Sequence, residues 1–118
     1  PDDIRAVVAH ATSTPKGDSV EITAINEVFG RRGDSLHVTS VKGNVGHTGA
    51  ASGAMGVLVA LHAMATGRLP HIPTTSQVEE GADFSVVVGS PAVGDFDRVQ
   101  VNAFGFGGQN CSVVLERP

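Results

Sequence analysis

The chain must build its core almost without large side chains. Its 118 residues include five Phe, no Tyr and no Trp, against fifteen Gly. Val, Ala, Leu and Ile are left to fill the interior, and glycine lets backbones approach closely. A hydrophobic fraction of 41% with 17% charged residues marks a globular chain rather than a disordered one. Small side chains bury little area each, so a domain of this size has little surplus stability on its own. The expectation is a piece of a larger fold. The abrupt opening Pro1-Asp2-Asp3, with no charged-then-apolar leader, reads the same way.

A formal net charge of −4 and a pI near 5.6 argue against an electrostatic nucleic-acid binder. The longest apolar run, Met55 to Ala65, is interrupted by Gly56 and His62 and reads as too short and mixed to span a membrane. One cysteine, Cys111, excludes an internal disulfide and fits a reducing cytosol, so a cytoplasmic protein is expected.

Periodicity gives alternating elements. Ile4–Ala11 suits a buried strand. A helix is expected after Gly17, with Asp18 as N-cap, Glu21 three residues on in a capping-box position, and an apolar stripe of Val20, Ile25, Val28 and Phe29. Leu36–Val41 alternates as a strand does and runs into the Gly-rich turn Lys42–Gly49. The next helix, Ala50–Thr66, is small or apolar nearly all round, which predicts burial between layers, and Gly67 suits its C′ position. Arg68–Asp83 reads as a loop whose acidic residues are solvated, and Phe84–Val88 as a short strand. Val99–Phe104 and Ser112–Glu116 flank a glycine turn as a hairpin does. The order predicts one α/β layered domain over 1–118, without an internal linker or short repeat.

Three turns follow directly on predicted strands: His10–Thr14, Lys42–Gly49 and Phe104–Gly108. Strand ends are where α/β folds present ligand-binding side chains. Of five histidines, only His10 and His47 lie on such turns. Other chemistries fail on spacing. Gly105-Phe106-Gly107-Gly108 leads into a strand, and Asn110 stands where a dinucleotide fingerprint needs its last glycine. There is no Gly-Lys-Ser/Thr phosphate loop and no zinc spacing. Cys111 alternates with Val113 along a strand and is expected to be a packed, inert thiol.

Taken together, three blocks resemble the C-terminal half of the β-ketoacyl-acyl-carrier-protein synthases. His10-Ala11-Thr12-Ser13-Thr14 with Gly17-Asp18 and Glu21 is similar to their His-Gly-Thr-Gly-Thr…Gly-Asp…Glu block. Lys42–Gly53 resembles their Lys…Gly-His…Gly-Ala-Ala-Gly block, and Asn102–Asn110 their Asn-Ser-Phe-Gly-Phe-Gly-Gly-Thr-Asn turn. Any one block is weak; three in order and at the family spacing are specific.

The resemblance implies a thiolase-like fold, C-terminal half, with a five-stranded mixed sheet and one buried helix. It implies a decarboxylative Claisen condensation of an acyl thioester with malonyl-carrier protein, in fatty-acid or polyketide elongation. His10 and His47 then donate hydrogen bonds to the thioester oxygen that becomes an enolate. At the start of a helix, a neutral His47 ring donating through Nε2–H is the expected species. Lys42 stands behind the histidines with Glu21 as its acid partner. Thr12 and Thr14 bind the phosphopantetheine arm, and Phe106 is the gate beside the nucleophile, its backbone N–H part of the oxyanion hole. The implied partners are an acyl carrier protein, the other half of the fold with its cysteine nucleophile, and a second copy in a homodimer. Neither a metal nor a resident cofactor is implied.

Ala11 and Ser13 replace two glycines of the family pattern, Ala103 replaces Ser and Gln109 replaces Thr; none removes a titratable group. Alternatives are a non-catalytic chain-length partner subunit and a ketosynthase domain of a megasynthase. A thiolase ranks low, because Cys111 lies past the glycine turn.

Overall fold

The computed structural model describes all 118 residues. Its five-stranded sheet contains β1 (Ala6–Val8), β2 (Gly33–Thr39), β4 (Phe84–Val86), β6 (Arg98–Phe104) and β7 (Asn110–Glu116), in the order β4-β2-β1-β6-β7. β1 pairs in parallel with both β2 and β6, β2 in parallel with β4, and β7 runs antiparallel to β6. The expected mixed sheet is therefore present. Two residues of the predicted loop, Arg68–Leu69, form β3 and pair with β5 (Ala92–Val93) in a separate ribbon.

Alternation along β1 explains the two cores. Ala6 and Val8 face one side with Ala60, Ala63, Met64, Phe96, Val99 and Val101. Val7 faces the other with Ala9, Ile25, Phe29, Leu36, Val38 and Phe84. A central strand covered on both faces reads as a continuous apolar run, as Ala6-Val7-Val8 does.

Helix α1 spans Pro15–Phe29, starting three residues before the expected Asp18 cap. Pro15 occupies the first turn, where its missing N–H costs nothing, and forces Thr14 into extended backbone. Of the predicted stripe, Ile25 and Phe29 are buried, whereas Val20 and Val28 are exposed. The turn after β2 contains a single helical turn, α2 (Lys42–Val45). A 3₁₀ turn at Gly49–Ala51 then leads into α3 (Ser52–Thr66), closed by a left-handed Gly67 at φ 66°.

Helix α3 packs on the sheet through its smallest residues. A Cβ added at Gly56 would lie 2.7 Å from Val101 Cγ1, so glycine sets how closely helix and strand approach. Only one face is covered: Ser52, Gly56, Ala60, Ala63 and Met64 are buried, while Leu58 and Leu61 are exposed. Together with its 3₁₀ turn, Gly49–Thr66 has a mean hydropathy of 1.4 over 18 residues, enough by length and composition to cross a membrane. The expected apolar run was shorter because it began at Met55. In this fold the segment is the helix that covers β1 and β6.

Cys111 is exposed on β7 rather than packed. Being the outermost strand, β7 has no neighbour on that side, and only its Leu115 is half-buried.

Candidate active site

Parallel pairing brings the three turns together. β1, β2 and β6 run side by side in one direction, so the segments after Val8, Thr39 and Phe104 emerge at the same sheet edge. The imidazoles of His10 and His47 meet there, with ring centroids 5.9 Å apart and planes at 89°. Phe104 supports the pair, its ring 5.4 Å from that of His10.

Hydrogen bonds fix the tautomer of each ring. The Gly49 backbone N–H donates to His47 Nδ1 at 3.0 Å, and Ser52 Oγ lies 3.0 Å from the same nitrogen. An acceptor at Nδ1 leaves the proton of a neutral ring on Nε2. Lys42 Nζ sits 3.3 Å from His10 Nδ1 and also donates to the His10 carbonyl. An ammonium can only donate, so His10 likewise carries its proton on Nε2. Both rings offer one N–H donor.

Burial pushes the His10 pKa below 6.5, and the Lys42 charge lowers it further against an opposing pull from Glu21. The sign follows from linkage: the unfolded chain takes up this proton more readily. Stability therefore falls as pH drops from 6.5 to the lowered value. Burial also lowers the Lys42 pKa, opposed by the charges of Glu21 and Asp18.

Glu21 is 5% exposed, but no ion-pair contact joins it to Lys42, which corrects the expected pairing. Nor does it cap its own helix. Its Oε1 accepts from the His10 backbone N–H at 2.9 Å and its Oε2 from the Ala11 N–H at 2.8 Å. The carboxylate grips the backbone that carries His10. The Ser13 N–H is held in the same way by Asp18 Oδ1 at 3.1 Å, and burial raises the Asp18 pKa above 3.8.

These anchors restrain an unfavourable backbone. Ala11 at φ 34° and Ser13 at φ 65° are the two non-glycine residues with positive φ, at the positions where the resemblance has glycine. A side chain costs about 1–2 kcal/mol in that region, partly offset by the greater unfolded-state freedom of glycine. Ala11→Gly and Ser13→Gly are each expected to stabilise the protein by about 0.5–1 kcal/mol, read as a higher urea midpoint.

Thr12 and Thr14 place their hydroxyls 3.3 Å apart. With Lys42, His47, Ile72 and Val78 they line a cavity of about 510 Å³. Phe106 is not part of the cluster; at the tip of the β6–β7 turn it is 105% exposed. No group of three His, Cys, Asp or Glu side chains converges as a metal ligand set. Sequence reasoning missed two residues. Ser52 orients His47, and Asn102 hydrogen-bonds Glu21. The only trace of Asn102 in the sequence is its place at the head of the Asn102–Asn110 block.

A family model described as the beta-ketoacyl synthase, C-terminal domain, matches residues 1–76, well over half of the chain. The chain belongs to the β-ketoacyl synthase family. The matched span of this synthase domain includes His10, Glu21, Lys42 and His47. A hybrid PKS-NRPS synthetase of Aspergillus violaceofuscus is 38% identical over 98% of the chain, which is 3% of that protein. The 3-oxoacyl-acyl-carrier-protein synthase 2 of Coxiella burnetii is 34% identical over 99% of the chain and 28% of its own length.

Among solved structures, the ishigamide ketosynthase/chain length factor aligns with a TM-score of 0.88 at 27% identity, over 97% of this chain and 28% of that one. An oxazolomycin ketosynthase domain of Streptomyces albus gives a TM-score of 0.88 at 28% identity, over 100% of this chain and 22% of that one. The fold is thus the thiolase-like α/β fold of ketosynthases. The synthase domain spans less than a third of the length of each of these relatives.

Proposed function

We propose that this domain supplies the oxyanion-stabilising half of a condensing enzyme that elongates fatty-acid or polyketide chains. The observation that carries the reading is the pair of imidazoles 5.9 Å apart, each with Nδ1 occupied as an acceptor and Nε2–H available. Two donors fixed beforehand suit a site where charge builds on one oxygen.

In the reaction, the bond between the malonyl carboxylate and its α-carbon breaks, releasing CO₂. The electron pair passes into an enolate whose oxygen accepts from His10 and His47. The α-carbon then attacks the acyl thioester held on a cysteine from the other half of the fold, and the cysteine thiolate leaves. Lys42 holds the His10 ring and its carbonyl, keeping Nδ1 unprotonated. Thr12 and Thr14 bind the phosphopantetheine arm of an acyl carrier protein as it enters the cavity, and Phe106 with its backbone N–H gates the nucleophile. A homodimer in the cytoplasm, with no resident cofactor, completes the reading.

The similar proteins include both a hybrid PKS-NRPS synthetase and a 3-oxoacyl-acyl-carrier-protein synthase, which supports one condensation chemistry for either setting. The test is CO₂ release from malonyl-carrier protein by the assembled enzyme as a function of pH. Activity is expected, with the His10 ring titrating below 6.5 by NMR. In Lys42→Met that value rises, because one of its lowering causes is removed, but stays depressed by burial. Absence of decarboxylation refutes the reading.

A further inference from the structure

Asn102 is 6% exposed, and both ends of its side-chain amide are engaged. Oδ1 accepts from Gln100 Nε2 at 2.9 Å and from Ser112 Oγ at 2.8 Å, which leaves Nδ2 to donate to Glu21 Oε1 at 3.1 Å. The Glu21 carboxylate fixes which way the amide faces, because it only accepts and a flipped amide would set Oδ1 against Oε1. Glu21 in turn accepts from the His10 and Ala11 N–H groups. A chain of hydrogen bonds therefore runs from the β6–β7 hairpin, through α1, to the loop that carries one of the two imidazoles.

We infer that Asn102 is a positioning residue for His10, acting through Glu21: it orients the carboxylate that holds the His10 loop and links the hairpin to the condensation site. The inference rests on the oxyanion reading above. An unanchored carboxylate on a helix could turn toward the nearby Lys42 ammonium. With Asn102 in place, both carboxylate oxygens stay on the loop amides. The charged and titratable groups around Glu21 are His10 after β1, Asp18 on α1 and Lys42 on α2; Gln100 and Ser112 on the strands are neutral.

Asn102→Asp is the discriminating variant. Two carboxyl groups at hydrogen-bond distance cannot both ionise easily, so one pKa rises. While the pair shares a proton, the introduced carboxyl group donates to Glu21 as the amide does. Once both ionise, they repel and the loop loses its holder. In the assembled enzyme, kcat for malonyl-carrier-protein decarboxylation is expected to fall roughly tenfold or more as pH rises from about 5.5 to 8, with KM nearly unchanged. The parent enzyme is expected to show no such descending limb over that range. Thermal melts at each pH accompany the rates.

A flat profile overturns the assignment, and so does a loss of rate that tracks unfolding or appears in KM alone. His10→Ala and His47→Ala are measured alongside. If these two leave decarboxylation intact, the oxyanion reading itself fails; if they abolish it while Asn102→Asp stays flat, only the role of Asn102 fails.

Discussion

Replacing His47 with alanine in the assembled enzyme is expected to lower the rate of malonyl decarboxylation by about a hundredfold to a thousandfold. That is the usual cost of removing one preorganised oxyanion donor. His10→Ala has an effect of the same order, since each ring supplies one Nε2–H. The loss falls on kcat, because the thioester oxygen gains its charge only on the way to the enolate. The double variant falls by less than the product of the two, as residues acting on one atom do not contribute independently. Release of CO₂ from malonyl-carrier protein is the measurement, and unchanged rates in both single variants refute the assigned roles.

Glu21→Leu carries the second large effect, this time on stability as well as rate. It leaves the His10 and Ala11 amides without their acceptors and removes the partner of Asn102 Nδ2. A buried donor deprived of its partner costs about 1–3 kcal/mol, and two backbone amides are affected. The melting temperature therefore drops by several degrees or more. Glu21→Gln keeps one acceptor oxygen and is expected to lose less. Equal melting temperatures for the parent and Glu21→Leu would show that solvent replaces the carboxylate without loss.

The fold was legible where side-chain alternation and turn chemistry agree. The β6–β7 hairpin and the left-handed Gly67 are local features, and both stand as expected. Helix boundaries were harder. Asp18 and Glu21 have the spacing of a capping box, yet Pro15 starts the helix earlier and frees both carboxylates to reach the His10 loop. Val20 and Val28 look like core residues by spacing but face solvent, and which face of α1 meets the sheet is decided by packing.

Within the site, His10, His47 and Lys42 lie close together, whereas one expected partnership is absent. Glu21 was expected to neutralise Lys42, whereas it binds backbone N–H groups, and those leave no trace in a string of side chains. Asn102 and Ser52 were missed for a related reason: each acts on a residue distant in sequence or through a ring nitrogen, and only three-dimensional closeness shows it. Cys111 was misjudged because alternation along β7 presumed a neighbouring layer that this strand lacks.

The left-handed backbone at Ala11 and Ser13 has an implication for how such sequences can change. Carboxylates hold the amides of both strained residues, so substitutions at the two kinds of position are expected to be coupled. With glycine at positions 11 and 13 the backbone strain would be gone, and loss of Glu21 would cost only its three hydrogen bonds. With alanine and serine there, loss of either acid would add to the strain already held at Ala11 and Ser13, so the two kinds of substitution are expected to be non-additive.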